Sequence, residues 1–235
     1  MTYPFFKRIF LMLAAGMLLI TANAQESDQA RTEDDPIVEA EARGNGPQSS
    51  ERLKVFFLGN SYTVAAGGQP HLVKGMLEAR GYHPQIATYI RAGETLEGFW
   101  LRNAGTEPTY YESKALERLE GEKRETKLEA IKKAREKTIG ELDKAIAADQ
   151  WDVVIIQSWT GAKMPEAIGF EKYAKLLVEK FREKSPDARI IFYMTWGSQN
   201  KPEEQETIAK AVYGAASKLE TQVAPAGEAA WAVMK

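Results

Sequence analysis

Apolar positions fall in short blocks divided by polar turns. Leu53 to Gly59 (Leu-Lys-Val-Phe-Phe-Leu-Gly) is a compact apolar run closed by glycine, the pattern of a buried strand. Pro70 suits a first helical position and Gly81 a stop, so a helix is expected between them. Gln85 to Ile90 reads as a second strand, closed by Arg91-Ala92-Gly93, and Thr95 to Asn103 as a short helix. Trp151 to Gln157 holds Val153-Val154-Ile155-Ile156, a third strand apolar on both faces. Pro165 to Lys184 is an amphipathic helix with Tyr173, Leu176, Leu177 and Phe181 on one side. Ala188 to Trp196 carries a fourth strand, Pro202 to Leu219 another helix, and Val223-Ala224-Pro225 a short fifth strand. Strands apolar on both faces that alternate with helices predict an α/β fold. The expected architecture is a three-layer α/β/α sandwich on a mostly parallel, flavodoxin-like sheet of about five strands, with right-handed crossovers.

Residues 112–149 break this rhythm. They carry ten acidic and ten basic side chains, with Leu128, Ile131, Leu142 and Ile146 as a narrow apolar stripe. Glu120–Arg124 and Glu129–Lys133 stand at favourable i, i+4 spacing. The segment is expected to be a charged helical insertion, one long helix or a helical hairpin, with a solvated outer face.

The chain ahead of the first strand has a different character. Lys7 and Arg8 precede an unbroken apolar run from Ile9 to Ile20, and Ala22-Asn23-Ala24 supplies small residues before Gln25. Residues 1–24 therefore read as a signal peptide, with export to the periplasm or the extracellular space. The apolar run falls short of the roughly 20 residues a bilayer span needs, so no stable membrane span is expected after cleavage. Residues 25–52, rich in Glu, Asp, Ser, Gly and Gln, read as a disordered linker, because they cannot bury enough surface to offset chain entropy. The folded domain is expected over 53–235.

Composition narrows the chemistry. Of 235 residues, 31 are Lys or Arg and 33 are Asp or Glu, a balance that argues against a nucleic-acid partner. Cysteine is absent, which excludes a thiol nucleophile, disulfides and Cys-ligated metals. Only His71 and His83 are present, so a His-rich metal site is not expected. No dinucleotide or phosphate-loop glycine fingerprint occurs, and no metal or organic cofactor is implied.

In open parallel sheets, ligands bind beyond the carboxyl ends of the strands. The first strand delivers Gly59-Asn60-Ser61-Tyr62-Thr63, the second Ala92-Gly93-Glu94-Thr95-Leu96, the third Gln157-Ser158-Trp159 and the fourth Thr195-Trp196-Gly197-Ser198. A serine just past the first strand is placed for nucleophilic work, and it is equally an ordinary helix-capping residue. Its own N–H, the unhindered N–H of Gly93 and the side-chain amide of Gln157 are candidate donors to an oxyanion.

At these residues the chain resembles the SGNH (GDSL-type) hydrolases. Val55-Phe56-Phe57-Leu58 followed by Gly59-Asn60-Ser61-Tyr62-Thr63 resembles their first block, in the form that writes Gly-Asn-Ser-Tyr/Phe-Thr for Gly-Asp-Ser-Leu. The resemblance implies that Ser61 is the nucleophile. Ala92-Gly93-Glu94-Thr95-Leu96 resembles the second block and implies an oxyanion donor at Gly93. Trp151 to Gln157 resembles the strand entering the third block, where the family has Gly-x-Asn-Asp; no Asn follows here, and Gln157 or Ser158 stands in its place. Val223 to Trp231 is similar to the segment before the last block. The implied activity is ester hydrolysis on a small-molecule or glycan ester, acetylated polysaccharide among them. Asn60 is a candidate substrate contact, and Trp159 and Trp196, just past the third and fourth strands, could stack on a sugar or equally belong to the core.

The family's last block, Asp-x-x-His, supplies the general base and its orienting acid, and it does not follow Trp231. The chain stops at Lys235 within a helical pattern, so it is expected to be truncated and to have little or no esterase activity. His71, in the first turn of a helix, is a substitute base without an evident acid partner; His83 reads as structural. The alternative reading is a non-catalytic module binding carbohydrate or a small anion on the same scaffold.

Overall fold

Alternation of apolar side chains across each strand builds the sheet from the inside. In the computed structural model, which describes residues 52–64, 68–105, 107–158, 169–198 and 200–234, the strands are β1 (Arg52–Gly59), β2 (His83–Ile90), β3 (Val153–Gln157), β4 (Arg189–Tyr193) and β5 (Gln222–Ala224). All pairings are parallel, in the order β2-β1-β3-β4-β5. On one face Phe56, Leu58, Val154, Ile156, Ile190 and Phe192 enter the larger core. On the other, Val55, Phe57, Val153, Ile155, Ile191 and Tyr193 form a second core. Burying each large apolar side chain contributes about 1.5–3 kcal/mol, which explains why the central strands carry no polar face.

The helices follow the direction of each crossover. α1 (Ser61–Val64) leads to α2 (Gln69–Glu78), whose Val73 and Leu77 cover the second core. After β2 the chain passes back across β1 to reach β3. Reversing direction while keeping a right-handed crossover puts the intervening helices on the opposite face. There lie α3 (Leu96–Ala104), α6 (Glu141–Ile146), α7 (Phe170–Lys184) and α8 (Pro202–Lys218). α9 (Ala226–Met234) returns to the second core through Ala226. The result is a three-layer α/β/α sandwich with flavodoxin-like strand order.

The charged insertion departs from expectation. It is neither one helix nor a hairpin but three helices: α4 (Tyr110–Leu116), α5 (Gly121–Glu136) and α6. A Thr109–Glu112 capping box starts α4, and the backbone at Glu120 is extended, so α4 and α5 cannot fuse. Nor is the segment simply a solvated face. Ile131 is buried, Leu142 and Ile146 enter the larger core, and the Arg135 side chain is fully enclosed. Glu129 pairs with Lys132, three residues on, in place of Lys133. Residues 1–51, including the expected signal peptide and all but the last residue of the expected linker, lie outside the described residues; Arg52 already belongs to β1.

Candidate active site

The chain leaves β1 for β2 on one side and returns to β3 on the other. That reversal opens a crevice beyond the carboxyl ends of β1 and β3. Gly59 ends β1, Asn60 turns the chain, and Ser61 opens α1 at the mouth of the crevice, exposed to solvent.

Gln157, the last residue of β3, holds this turn from beneath. Its Oε1 accepts from the Asn60 N–H at 2.9 Å and from the Thr63 hydroxyl at 2.8 Å. Its Nε2 donates to the Ser158 carbonyl at 2.6 Å, and the side chain is 1% exposed. The Gln157 amide, a candidate oxyanion donor from the sequence, is hydrogen-bonded within the protein and braces the Ser61 turn. The packing explains Gly59 as well. A Cβ there would lie 2.0 Å from Thr63 Oγ1 and 2.9 Å from Gln157 Oε1.

Asn60, an expected substrate contact, lies buried in the same turn. The residue is 0% exposed. Its Nδ2 donates to the Glu94 carbonyl at 2.8 Å, and its Oδ1 accepts from the Tyr62 N–H at 3.0 Å. With its amide donating at one end and accepting at the other, it joins two loops. A second bond, from the Arg91 N–H to the Gly59 carbonyl at 3.0 Å, joins the same loops. Gly93 sits between Arg91 and Glu94, so both bonds bring it beside the Ser61 turn.

Gly93 is exposed and adopts φ 68°, a left-handed conformation that glycine takes without steric cost. Among the described residues, neither its N–H nor the Ser61 N–H has an acceptor, and the Ser61 hydroxyl has no partner. Two free amide donors beside an exposed hydroxyl can hold a developing oxyanion while the serine attacks.

Trp196, past β4, is half-buried and meets the Tyr62 ring edge-on, with centroids 5.5 Å apart and planes at 84°. Tyr62 follows Ser61, so this aromatic pair forms a wall beside the serine. Trp159 lies outside the described residues. Tyr193 ends β4, but burial pushes its phenol up to about 12, so it stays protonated near neutrality. His71 is exposed in the first turn of α2. His83 begins β2, at the opposite end of the strands, beside a shallow pocket of about 280 Å³ with Arg52, Lys74 and Glu78. Among the described residues, no group of three or more His, Asp or Glu side chains is placed to hold a metal ion. No helix among them is long and apolar enough to cross a membrane.

Sequence reasoning missed two supports of this site. Thr63 anchors the turn, and its place two residues after Ser61 was the available signal. The Arg102 guanidinium on α3 holds the Glu94 carboxylate, which precedes the helix, and Glu112 in the insertion extends that contact; no local spacing rule marks these partners.

No family model and no curated protein matches the sequence. Among solved structures, the chain is similar to a candidate SGNH hydrolase from Slackia heliotrinireducens, at 17% identity and a TM-score of 0.47, over 74% of this chain and 78% of that one. It is similar to AlinE4, an SGNH-hydrolase family esterase, at 12% identity and a TM-score of 0.45, over 75% and 77%. It is also similar to a carbohydrate esterase family 2 enzyme with a carbohydrate-binding domain, from Corynascus thermopiles (Myceliophthora fergusii), at 13% identity and a TM-score of 0.42, over 77% and 65%.

Proposed function

We propose that this chain is an exported serine ester hydrolase of the SGNH type, acting on small-molecule or glycan esters. One observation carries the reading. An exposed Ser61 stands at the switch point of a parallel sheet, and its acceptor-free N–H is joined through Asn60 to the loop bearing the acceptor-free N–H of Gly93.

In this reading Ser61 Oγ attacks the ester carbonyl carbon and yields its proton to a base. The carbonyl oxygen becomes an oxyanion held by the N–H groups of Ser61 and Gly93. Collapse expels the alcohol and leaves the acyl group on Ser61, and water then releases the acid. Gln157 positions the turn and does not donate to the oxyanion. Asn60 fixes the spacing of the two donors. Trp196 and Tyr62 offer an aromatic wall for the acyl or sugar part of the substrate, with Trp159 as a further contact. No cofactor takes part.

Among the described residues no histidine or carboxylate is hydrogen-bonded to Ser61, and an unassisted serine is a weak nucleophile, so slow acylation is the expected outcome. The same observation favours the second reading, a non-catalytic carbohydrate or small-anion module. The two are separated by incubating the full chain with p-nitrophenyl acetate and mapping acetylation by mass spectrometry. Slow acetylation confined to the Ser61 peptide and lost in Ser61→Ala supports the hydrolase. No acetylation, with acetylated glycans still quenching tryptophan fluorescence, supports the binding module.

A further inference from the structure

The loop carrying Gly93 is tied to the charged insertion by a ladder of alternating charges. Glu94 is buried beside Gly93, and its carboxylate accepts from Arg102 Nε at 2.5 Å and from the Thr95 N–H at 3.3 Å. Arg102 Nη2 reaches Glu112 Oε1 at 3.2 Å. Glu112 Oε2 in turn accepts from the Thr109 N–H at 2.8 Å and from Arg135 Nη2. The ladder thus runs from the β2–α3 loop, through α3 and α4, to a fully enclosed guanidinium on α5.

α3 is shaped to let this contact form. Gly98 and Arg102, four residues apart, share one face of α3, and Glu94, just ahead of the Thr95 N-cap, lays its carboxylate against that face. Gly98 has no side chain, and a Cβ there would stand 1.6 Å from Glu94 Oε1. The missing methyl is the space the carboxylate occupies.

Buried ion pairs are poor sources of stability, because desolvation takes back much of the attraction. An apolar cluster would hold α3, α4 and α5 together at least as well. A charge ladder adds direction, because the planar guanidinium of Arg102 holds two carboxylates in fixed relative positions, Glu94 on its Nε and Glu112 on its Nη2. The residue so fixed is Glu94, whose carbonyl is the acceptor for Asn60.

We propose that Arg102 is a positioning residue for the oxyanion donor, and that the Glu94–Arg102–Glu112–Arg135 ladder uses the insertion to hold the left-handed turn at Gly93. The proposal rests on the reading of Gly93 as an oxyanion donor. The insertion is then a rear support of the site. It reaches the loop of Gly93 through Glu94 and, from the far end of the insertion, through Glu141, which accepts from Arg91 Nη2 at 2.9 Å.

The test compares the full chain with Arg102→Leu, Arg102→Lys and Gly98→Ala. Gly98→Ala displaces the Glu94 carboxylate without substituting any charged residue. Amide hydrogen exchange is followed for residues 91–95, with the β3 peptide as internal reference, alongside Ser61-dependent acylation by p-nitrophenyl acetate. The expected result is at least tenfold faster exchange at 91–95 in Arg102→Leu and Gly98→Ala, with β3 unchanged. Acylation slows tenfold or more in both at an unchanged half-saturating ester concentration. Arg102→Lys recovers part of both losses. Unchanged exchange at 91–95 in both variants overturns the proposal. So does faster exchange spread equally to β3, which marks a merely structural ladder. If Ser61→Ala leaves acylation unaltered, the hydrolase reading fails, and exchange at 91–95 alone decides the ladder.

Discussion

The Asn60 side-chain amide donates to the Glu94 main-chain carbonyl at 2.8 Å, across 34 residues of sequence. One bond thereby sets the distance between the proposed nucleophile and the loop of its oxyanion donor. Asn60→Ala leaves the Glu94 carbonyl and the Tyr62 N–H without their partners, and each buried orphan costs about 1–3 kcal/mol. A loss of at least about 2 kcal/mol is expected in urea unfolding. Asn60→Asp should be no better near neutral pH, because a carboxylate cannot donate to that carbonyl.

Gly59 tests the brace beneath the serine. Gly59→Ala drives a methyl into Thr63 Oγ1 and Gln157 Oε1. Overpacking of this kind costs about 1–3 kcal/mol. The expected sign is a lower denaturation midpoint together with loss of Ser61 acetylation, measured on the same sample.

Glu97 and Glu112 titrate in opposite directions. Burial pushes the Glu97 carboxyl up; the Tyr110 N–H and Arg135 only partly offset this, and Glu112 and Glu94 add to it. Burial also acts to raise Glu112, but the Thr109 N–H and the Arg135 and Arg102 guanidiniums prevail and hold it below the usual range. A raised carboxyl contributes stability that is present below the unfolded pKa and is lost as pH rises through the folded one. A lowered carboxyl contributes stability that is present above the unfolded pKa and is lost as pH falls through the folded one. Glu97→Gln should therefore raise Tm at pH 7, with the gain vanishing below the ordinary glutamate range of about 4.3. Glu112→Gln should lower Tm at pH 7, with the deficit shrinking on acidification. Thermal unfolding across a pH series reads both.

Leu142 distinguishes an integral insertion from an appended one. It is 0% exposed within the larger core, so Leu142→Ala should cost about 2–5 kcal/mol. Lys133→Ala, on the exposed side of α5, should stay within about 0.5 kcal/mol. Similar small losses in both would mean that the helices of 112–149 rest loosely on the sheet.

Strand positions were legible because burial on both faces leaves an unmistakable mark. Val55-Phe56-Phe57-Leu58 and Val153-Val154-Ile155-Ile156 have no polar face to mislead. That Ser61 and Gly93 come to one edge of the sheet was legible because each follows a strand that ends there. The roles of Asn60 and Gln157 were not. A side-chain amide donates and accepts equally well, and only the packing shows that both amides turn inward. The insertion was misread for a related reason. Balanced charge looks solvated in one dimension, yet Arg135 and Glu112 meet in the interior from different helices.

The insertion also bears on how the chain folds. Lys54 on β1 bonds Asp152, next to β3, across 98 residues, and α3 to α6 all lie between them. The central strand pair can register only after that long excursion has condensed, and such distant pairing slows the search for the native topology. Until then the apolar edge of β1 stands open to other chains. Kinetic partitioning between refolding and aggregation should thus depend on how early the charged helices collapse.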